Sequence, residues 1–466
     1  MEGTCSFDLI VIGSGPGGYV AAIRAAQLGM NTAVVERSSL GGVCLNWGCI
    51  PTKALLKSAQ AFSYAGRGSE FGFSADNVKA DLQAMILRSR DVSSAMNKGV
   101  EFLFKKNKIT VFHGNGSLMP GKRVSVVAED GTSQLLEAPK IILATGSHAA
   151  ELPFAPVDHI SVWDYHDALV PQSLPSSLAV IGSGAIGSEF AYFYRTLGVE
   201  VTLIEYLDRI LPLEDEDISA QISRSFRKKG MKVMTSSAVK SIESSSEGCA
   251  LTVETSKGIE TVNAEKVLSA VGVRPNTEGV GLENAGVELV KGKVKVDSNY
   301  MTNVDGIYAI GDIIPTQALA HVASAEAVCC VERIAGIDSP SVDYDNIPAC
   351  TYVSPEVASV GMTEHCAREK GVEYKVGKFP YTASGKAVAS GNRDGFVKLI
   401  VDASNDKVLG AHLVGDGVSE MIGGIVTARN LGVTASRLIK SVFPHPTMSE
   451  AIMESAAASH NESVHI

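Results

Sequence analysis

Phe7-Asp-Leu-Ile-Val-Ile12 runs into Gly13-Ser-Gly15-Pro-Gly-Gly18, then a helix-like run from Tyr19 to Leu28, then Thr32-Ala-Val-Val35 closing on Glu36. The order reads as buried strand, turn, helix, second strand and acid. Each piece has a mechanical reason. Gly13 permits a tight turn, Gly15 lets the backbone approach a pyrophosphate, and Gly18 lets helix and strand close on one another. The helix start turns free N–H groups and a positive dipole end toward phosphate. Glu36 stands where a carboxylate accepts from ribose hydroxyls. Three spaced glycines alone are weak evidence. With strand, helix and acid in place they predict a dinucleotide site.

The unit recurs. Leu178-Ala-Val-Ile181 leads to Gly182-Ser-Gly184-Ala-Ile-Gly187, a helix from Ser188 to Leu197, and Val201-Thr-Leu-Ile-Glu205. The offset from first glycine to acid is the same in both copies (36 − 13 and 205 − 182, both 23). Two sites ask for two dinucleotides, most economically a flavin that stays and a nicotinamide that comes and goes. Glu205 would repel a 2′-phosphate, and Tyr206-Leu207-Asp208 supplies no arginine, which favours NAD over NADP. Two more buried strands end in turns: Lys140-Ile-Ile-Leu-Ala-Thr145-Gly146-Ser147, and Gly306-Ile-Tyr-Ala-Ile-Gly311-Asp312, whose acid could reach a ribitol hydroxyl. Taken alone, each reads equally well as an ordinary turn.

At 466 residues the chain is long enough for about three domains. Its 45 glycines suit several tight strand-to-helix turns rather than a fibrous repeat. The formal net charge is −10 and no Lys/Arg cluster accompanies the glycines, which argues against nucleic acid. No stretch approaches the roughly 18 apolar residues of a membrane span, and no basic region or cleavage site precedes Phe7. The expectation is a cytoplasmic protein, or a mature form already trimmed. Of eight cysteines, Cys5, Cys249, Cys329, Cys330, Cys350 and Cys366 show no ligand spacing and read as plain thiols, with the vicinal Cys329–Cys330 pair in a helix.

The other two are different. Gly41-Gly-Val-Cys44-Leu-Asn-Trp-Gly-Cys49-Ile-Pro51-Thr-Lys53-Ala-Leu-Leu-Lys57 follows the first dinucleotide unit. On a regular helix, residues five apart lie beyond the roughly 4.4–6.8 Å Cα spacing of a disulfide. A bridge therefore needs an irregular turn, for which Gly48 supplies freedom. Pro51 suits a first helical turn, placing Cys49 at or just before a helix N-terminus, where the dipole favours the thiolate. An arbitrary pair at this spacing is more simply two unpaired buried thiols. The flanking glycines, the helix start and the dinucleotide unit upstream reverse that preference. A metal site is not expected, because no His or Cys lies near enough in sequence to complete one.

Thiol exchange benefits from a base working near neutral pH. Among ten histidines His445 is best placed, in Phe443-Pro444-His445-Pro446-Thr447-Met-Ser-Glu450. Prolines on both sides stiffen the segment, and Glu450 could bond one ring nitrogen and set the tautomer. By spacing alone, a solvent-exposed structural histidine is the plainer reading.

The stretch Gly41 to Leu56, both glycine triplets, Ala144-Thr-Gly-Ser147, Ile310-Gly-Asp312 and His445-Pro-Thr…Glu450 together resemble the pyridine nucleotide–disulfide oxidoreductases, over essentially the whole chain. Within that family, Cys44 to Leu56 is most similar to members that oxidise dihydrolipoamide with NAD. The resemblance implies a non-covalent FAD in each subunit of a homodimer. Cys44 would be the interchange thiol and Cys49 the flavin-facing, charge-transfer thiolate. His445 would arrive from the other subunit as base, oriented by Glu450. Lys53 and Glu189 match positions placed near the flavin ring. For FAD the matching positions are Gly13 to Gly18, Glu36, Lys53, Gly116, Thr145, Asp312 and Ala320. For NAD they are Gly182 to Gly187, Glu205, Val239 and Gly272. Lipoyl domains and the acyltransferase core of a 2-oxo acid dehydrogenase complex, or a glycine-cleaving complex, would be the partners. Trp47 departs from the smaller or more polar residues expected between the cysteines. The tail from His460 to Ile466 carries no extra cysteine pair, which counts against a mercuric reductase or a large thioredoxin reductase.

The expected fold class is α/β: two Rossmann-like dinucleotide-binding domains, for FAD and NAD, and an α+β C-terminal dimerisation domain. The boundaries read 1–148 and 277–346 for the flavin part, 149–276 for the nicotinamide part and 347–466 for the interface. Linkers are expected at 153–175 and at Val273-Arg-Pro-Asn-Thr277. In the last part Gly395 to Val401 reads as a strand and Ser419 to Leu431 as a helix. Two other functions stay open. One is a reductase for another disulfide such as glutathione; the other is an interaction subunit docked on an acyltransferase core.

Overall fold

The computed structural model describes residues 5–466. The chain divides into two units. One takes the N-terminal residues up to Ala54, with Ala84–Ala150 and Val273–Val342; the other takes Leu55–Gln83, Glu151–Gly272 and Asp343–Ile466.

In the first unit, strand β1 (Leu9–Ile12) is buried along its whole length. It pairs in parallel with β2 (Thr32–Glu36) on one side and β3 (Lys140–Leu143) on the other. Thr110–His113 extends the sheet beyond β2, and Ile307–Ala309 beyond β3. Unbroken Ile, Val and Leu runs are what a parallel sheet covered on both faces requires. The strand order reverses beside β1, so a crevice opens at its carboxyl end, where Gly13 begins. Helix α1 (Pro16–Gln27) starts three residues before the run expected from Tyr19, because Gly15 serves as N-cap and Pro16 suits the first helical position. Beyond it come α2 (Gly42–Asn46), α3 (Cys49–Gly66) and α4 (Leu82–Lys106). The helix Ala320–Ile334 holds the vicinal cysteines, both buried, and its Glu332 pairs with Arg24 of α1 at 2.6 Å.

The second unit repeats the plan. Strand β4 (Ser177–Ile181) pairs in parallel with β5 (Glu200–Ile204) and β6 (Lys266–Ser269). Lys232–Met234 and Val162–Trp163 form the outer strands. Residues 153–175, read from sequence as a linker, thus supply an edge strand and the helix Tyr165–Leu169. Their prolines flank these elements without interrupting them, and an Asp164–Asp167 capping box starts the helix. The other expected linker is also ordered: Val273–Pro275 pairs antiparallel with Ser147–Ala149. The repeat runs further than the glycine triplets. In each copy a three-stranded antiparallel meander, beginning at Asn115 or at Ala238, precedes the strand β3 or β6. Helix α5 (Ala185–Thr196) follows the second glycine triplet, as α1 follows the first.

The C-terminal part of this unit is an antiparallel sheet in the spatial order 348–351, 356–361, 408–415, 396–402, 374–380. Helix α6 (Glu450–Ser459) lies tightly against it. A Cβ on Gly377 would fall 1.8 Å from the Ser455 carbonyl oxygen, and the Ser455 hydroxyl donates to the Gly377 carbonyl at 2.7 Å. Lys398, 1% exposed, is neutralised by Asp215 at 2.7 Å, Asp217 at 3.0 Å and Glu364 at 2.8 Å, without which its burial would be prohibitive. Among the described residues no helix is long and apolar enough to cross a membrane.

Candidate active site

The two glycine loops are built alike, atom for atom. Gly13 and Gly182 hold positive φ, and a Cβ on either would meet the carbonyl oxygen of Ala144 or Ala270 at 2.3 or 2.5 Å. A Cβ on Gly18 or Gly187 would strike the carbonyl oxygen of Gly13 or Gly182 at 1.9 or 2.0 Å. The middle glycines are the exception. Around Gly15 and Gly184 nothing lies within 4 Å of an added Cβ, so each leaves open space beside a helix N-terminus. That is the cradle a pyrophosphate needs. Glu36 and Glu205 close each loop from below. One oxygen of Glu36 accepts from the Ser14 N–H at 2.9 Å and hydroxyl at 2.6 Å, and the other from the Ser38 N–H at 2.8 Å. Glu205 repeats the pattern with Ser183 at 2.9 and 2.6 Å and the Leu207 N–H at 2.9 Å. Each Oε1 thus keeps one acceptor position for a further donor.

The cysteine pair is attached directly to the first loop. The Gly41 N–H donates to the Ser14 carbonyl at 3.0 Å, and a Cβ on Gly42 would lie 2.7 Å from Gly15 Cα. Two left-handed glycines, Gly41 and Gly42, turn the chain into α2. Cys44 sits within that short helix, and the chain breaks at Trp47 and Gly48 before Cys49 opens the 18-residue α3. The break brings the Cα atoms of Cys44 and Cys49 to 4.7 Å, and the two sulfurs form a disulfide. Gly48 contributes by size and not by handedness. Its φ is not positive, and a Cβ there would come within 3.1 Å of the Val43 carbonyl oxygen. As the first residue of α3, Cys49 faces unpaired N–H groups and the positive dipole end, which favour negative charge on its sulfur.

In the second unit His445 is exposed, and its Nδ1 bonds Glu450 Oε1 at 2.8 Å. The Thr447 N–H donates to the other Glu450 oxygen at 2.8 Å. Burial opposes ionisation of Glu450, but the Thr447 N–H and His445 outweigh it and hold the carboxyl below the usual range. The His445 Nε2 has no partner among the described residues. A histidine gripped at one nitrogen and open at the other is the arrangement of an oriented base.

Comparison with known proteins adds to this geometry. Residues 7–327 match the pyridine nucleotide-disulphide oxidoreductases, and residues 347–456 match the dimerisation domain of the same family. The chain belongs to that family. It is 45% identical over 463 residues to a dihydrolipoyl dehydrogenase of Zymomonas mobilis, covering 98% of this chain and 99% of that one. It is 47% identical over 471 residues to a dihydrolipoyl dehydrogenase of Rhizobium etli, covering 96% and 97%. The crystal structure of LpdA from Mycobacterium tuberculosis superposes with a TM-score of 0.90 at 28% identity, over 97% of this chain and 99% of that one.

This oxidoreductase has the activity of a dihydrolipoyl dehydrogenase, with Cys44–Cys49 as its redox-active disulfide. Family membership implies FAD and NAD binding, and the matched dimerisation domain suggests a homodimer. The two open glycine cradles, each with its buried acid, fit two dinucleotides.

The remaining expected positions fall as follows. Gly146 and Gly272 take the same place, three residues beyond β3 and β6, both with positive φ. Gly116 and Val239 are each the second residue of a meander. A Cβ on Gly116 would press on Val35 and Ile12 at 2.9 and 3.1 Å. Lys53 lies one turn beyond Cys49 on α3, and Ala320 opens its helix. The Thr145 hydroxyl turns to the Asn276 carbonyl at 2.7 Å, and Asp312 accepts from Ser147 at 2.5 Å, so each is already partly committed. In the second unit, buried Glu189 accepts from the Tyr352 N–H at 2.9 Å. Sequence reasoning missed Ser14 and Ser183, which hold the two glutamates. The signal was present, since the same residue type follows the first glycine in both copies.

Proposed function

We propose that Cys44 is the interchange thiol and Cys49 the flavin-side thiol in NAD-linked oxidation of a protein-bound dihydrolipoyl group. The observation that carries this reading is the single turn through which the disulfide loop rests on the first glycine cradle, Gly41 bonded to Ser14 and Gly42 against Gly15. A dihydrolipoyl thiolate attacks the Cys44 sulfur, the protein S–S bond breaks, and the Cys49 sulfur leaves with the electron pair at the N-terminus of α3. The second lipoyl thiolate then displaces Cys44, and a lipoyl disulfide departs from a reduced protein pair. FAD, when bound, would supply the two-electron acceptor between the reduced protein pair and NAD. His445, its ring set by Glu450, takes the proton of the incoming thiol at Nε2, and it serves the disulfide of the other subunit.

The phosphates of FAD would lie over Gly13 to Gly18 and those of NAD over Gly182 to Gly187, with ribose hydroxyls on the remaining acceptor positions of Glu36 and Glu205. Lys53, Gly116, Thr145, Gly146, Asp312 and Ala320 complete the flavin side, with Glu189 at a position matched to the flavin ring; Val239 and Gly272 complete the nicotinamide side. Glu205 would face a 2′-phosphate with like charge, which supports NAD over NADP. Residues 1–148 with 277–346 form the flavin part, 149–276 the nicotinamide part and 347–466 the subunit interface. The physiological dithiol is a lipoyl domain on the acyltransferase core of a cytoplasmic 2-oxo acid dehydrogenase complex or of a glycine-cleaving system. An anaerobic titration of the purified protein with dihydrolipoamide, followed by NAD, tests the reading. Reduced nicotinamide should appear with dihydrolipoamide and not with glutathione, and faster with NAD than with NADP. Absence of dihydrolipoamide-dependent NADH would overturn it.

A further inference from the structure

Helices α2 and α3 are separated by only two residues, Trp47 and Gly48. Joined into one helix they would carry Cys44 and Cys49 beyond disulfide reach. In that joined helix the Asn46 carbonyl would accept from the N–H four residues on, at Ile50. Here it is taken by another group: Arg90 Nη1, from α4, donates to it at 2.7 Å. The same guanidinium lies over the Trp47 indole, 4.7 Å from the ring centroid. Its Nε and Nη2 are sealed from solvent and find no hydrogen-bond acceptor among the described residues, as suits a plane laid against an aromatic face. The Asn46 side chain is held as well. Its amide donates to the Leu40 and Gly42 carbonyls at 3.0 and 2.9 Å, and its oxygen accepts from Asn97, also on α4, at 2.6 Å. One turn into α3, Arg88 of α4 donates to the Ala54 carbonyl at 2.7 Å. A single helix therefore braces both sides of the break.

While the disulfide is closed, the S–S bond itself keeps the break between the two helices. Once it is reduced, these contacts remain to keep it.

We propose that Arg90 is a positioning residue of the redox centre: by occupying the Asn46 carbonyl and covering the Trp47 ring it preserves the break between α2 and α3, and so keeps the reduced Cys44 and Cys49 thiols within bonding reach. The inference rests on the redox role of this pair and goes beyond the choice of substrate. Its consequence is thermodynamic. Proximity of the two thiols sets how readily the disulfide re-forms, so loosening the break favours the dithiol and raises the reduction potential.

The test equilibrates the holoenzyme, Arg90→Met and Arg90→Lys anaerobically with mixtures of dihydrolipoamide and lipoamide, and reads free thiols by alkylation and mass. In that exchange the protein S–S bond breaks and gains two electrons and two protons. Both come from the two S–H groups of dihydrolipoamide, whose own S–S bond forms. Arg90→Met should shift the balance toward the dithiol about tenfold, equivalent to about 30 mV. Arg90→Lys should shift it less, because an ammonium can reach the carbonyl but cannot lie flat over the indole. In a Trp47→Leu background the effect of Arg90→Met should shrink, an outcome that general loss of stability would not produce. A parental ratio in Arg90→Met, with flavin content unchanged, overturns the proposal. If Arg90→Met does not accumulate as folded protein, a parental ratio in Arg90→Lys overturns it. An unaltered chain without any dihydrolipoamide-reducible pair would overturn the assigned activity and this inference together, and so is told apart from failure of the variants alone.

Discussion

Glu450 divides its two oxygens between His445 and the Thr447 N–H, and an amide cannot satisfy both partners as a carboxylate does. Glu450→Gln keeps the shape but sets an NH2 group against one of the two. If that is the Thr447 N–H, two donors face each other; if it is Nδ1, the ring must take the other tautomer and lose its free Nε2 lone pair. The expected outcome is a fall in kcat of about a hundredfold, with flavin content intact and KM for NAD little changed, measured by steady-state assay. The pH behaviour follows from the direction of the shift. The folded carboxyl titrates below its ordinary value, so its contribution to stability is present above that ordinary value and disappears as pH falls through the depressed one. The unaltered protein should therefore lose stability in acid more steeply than Glu450→Gln, whose amide does not titrate.

The glycine triplets make a sharper prediction at the level of an element, because neighbouring glycines in one loop serve different masters. Gly15 and Gly184 have φ near −60° and open space around an added Cβ. Gly15→Ala and Gly184→Ala should therefore fold normally and lose ligand affinity: flavin in the first, and NAD, seen as a raised KM with flavin retained, in the second. Gly18→Ala would instead place its Cβ 1.9 Å from a carbonyl oxygen and should yield little folded protein. Thermal unfolding and the flavin content of the purified variants distinguish these outcomes. This loop shows why the geometry of the glycine turns was legible in the sequence. Each of its constraints is local, imposed by a turn, a close approach or a helix start within a few residues. The linker reading of 153–175 failed because punctuation by proline looks the same whether it flanks an element or replaces one. The helix break at Trp47 and Gly48 was foreseen only as an irregular turn, because what holds it, Arg90 and Asn97, comes from a helix some forty residues away and leaves no local mark.

At the scale of the whole molecule, the internal duplication was readable from a spacing of 23 and proved to extend through the meanders and the acid-binding serines. A site completed across subunits would be of another kind, since no property of one chain records which copy of His445 meets which disulfide. Symmetry supplies the test. In a twofold dimer each site would draw its cysteines from one protomer and its histidine from the other. A dimer pairing a Cys44→Ser protomer with a His445→Ala protomer then contains one complete site, because the intact cysteines of the second face the intact histidine of the first. If each histidine served its own chain, both sites of that hybrid would be broken. Each variant homodimer should be nearly inactive, and hybrids made by co-expression with two affinity tags should recover about half of the parental turnover per dimer. Hybrids as inactive as either homodimer would place the histidine in its own subunit's site and end the case for an exchange centre completed by dimerisation.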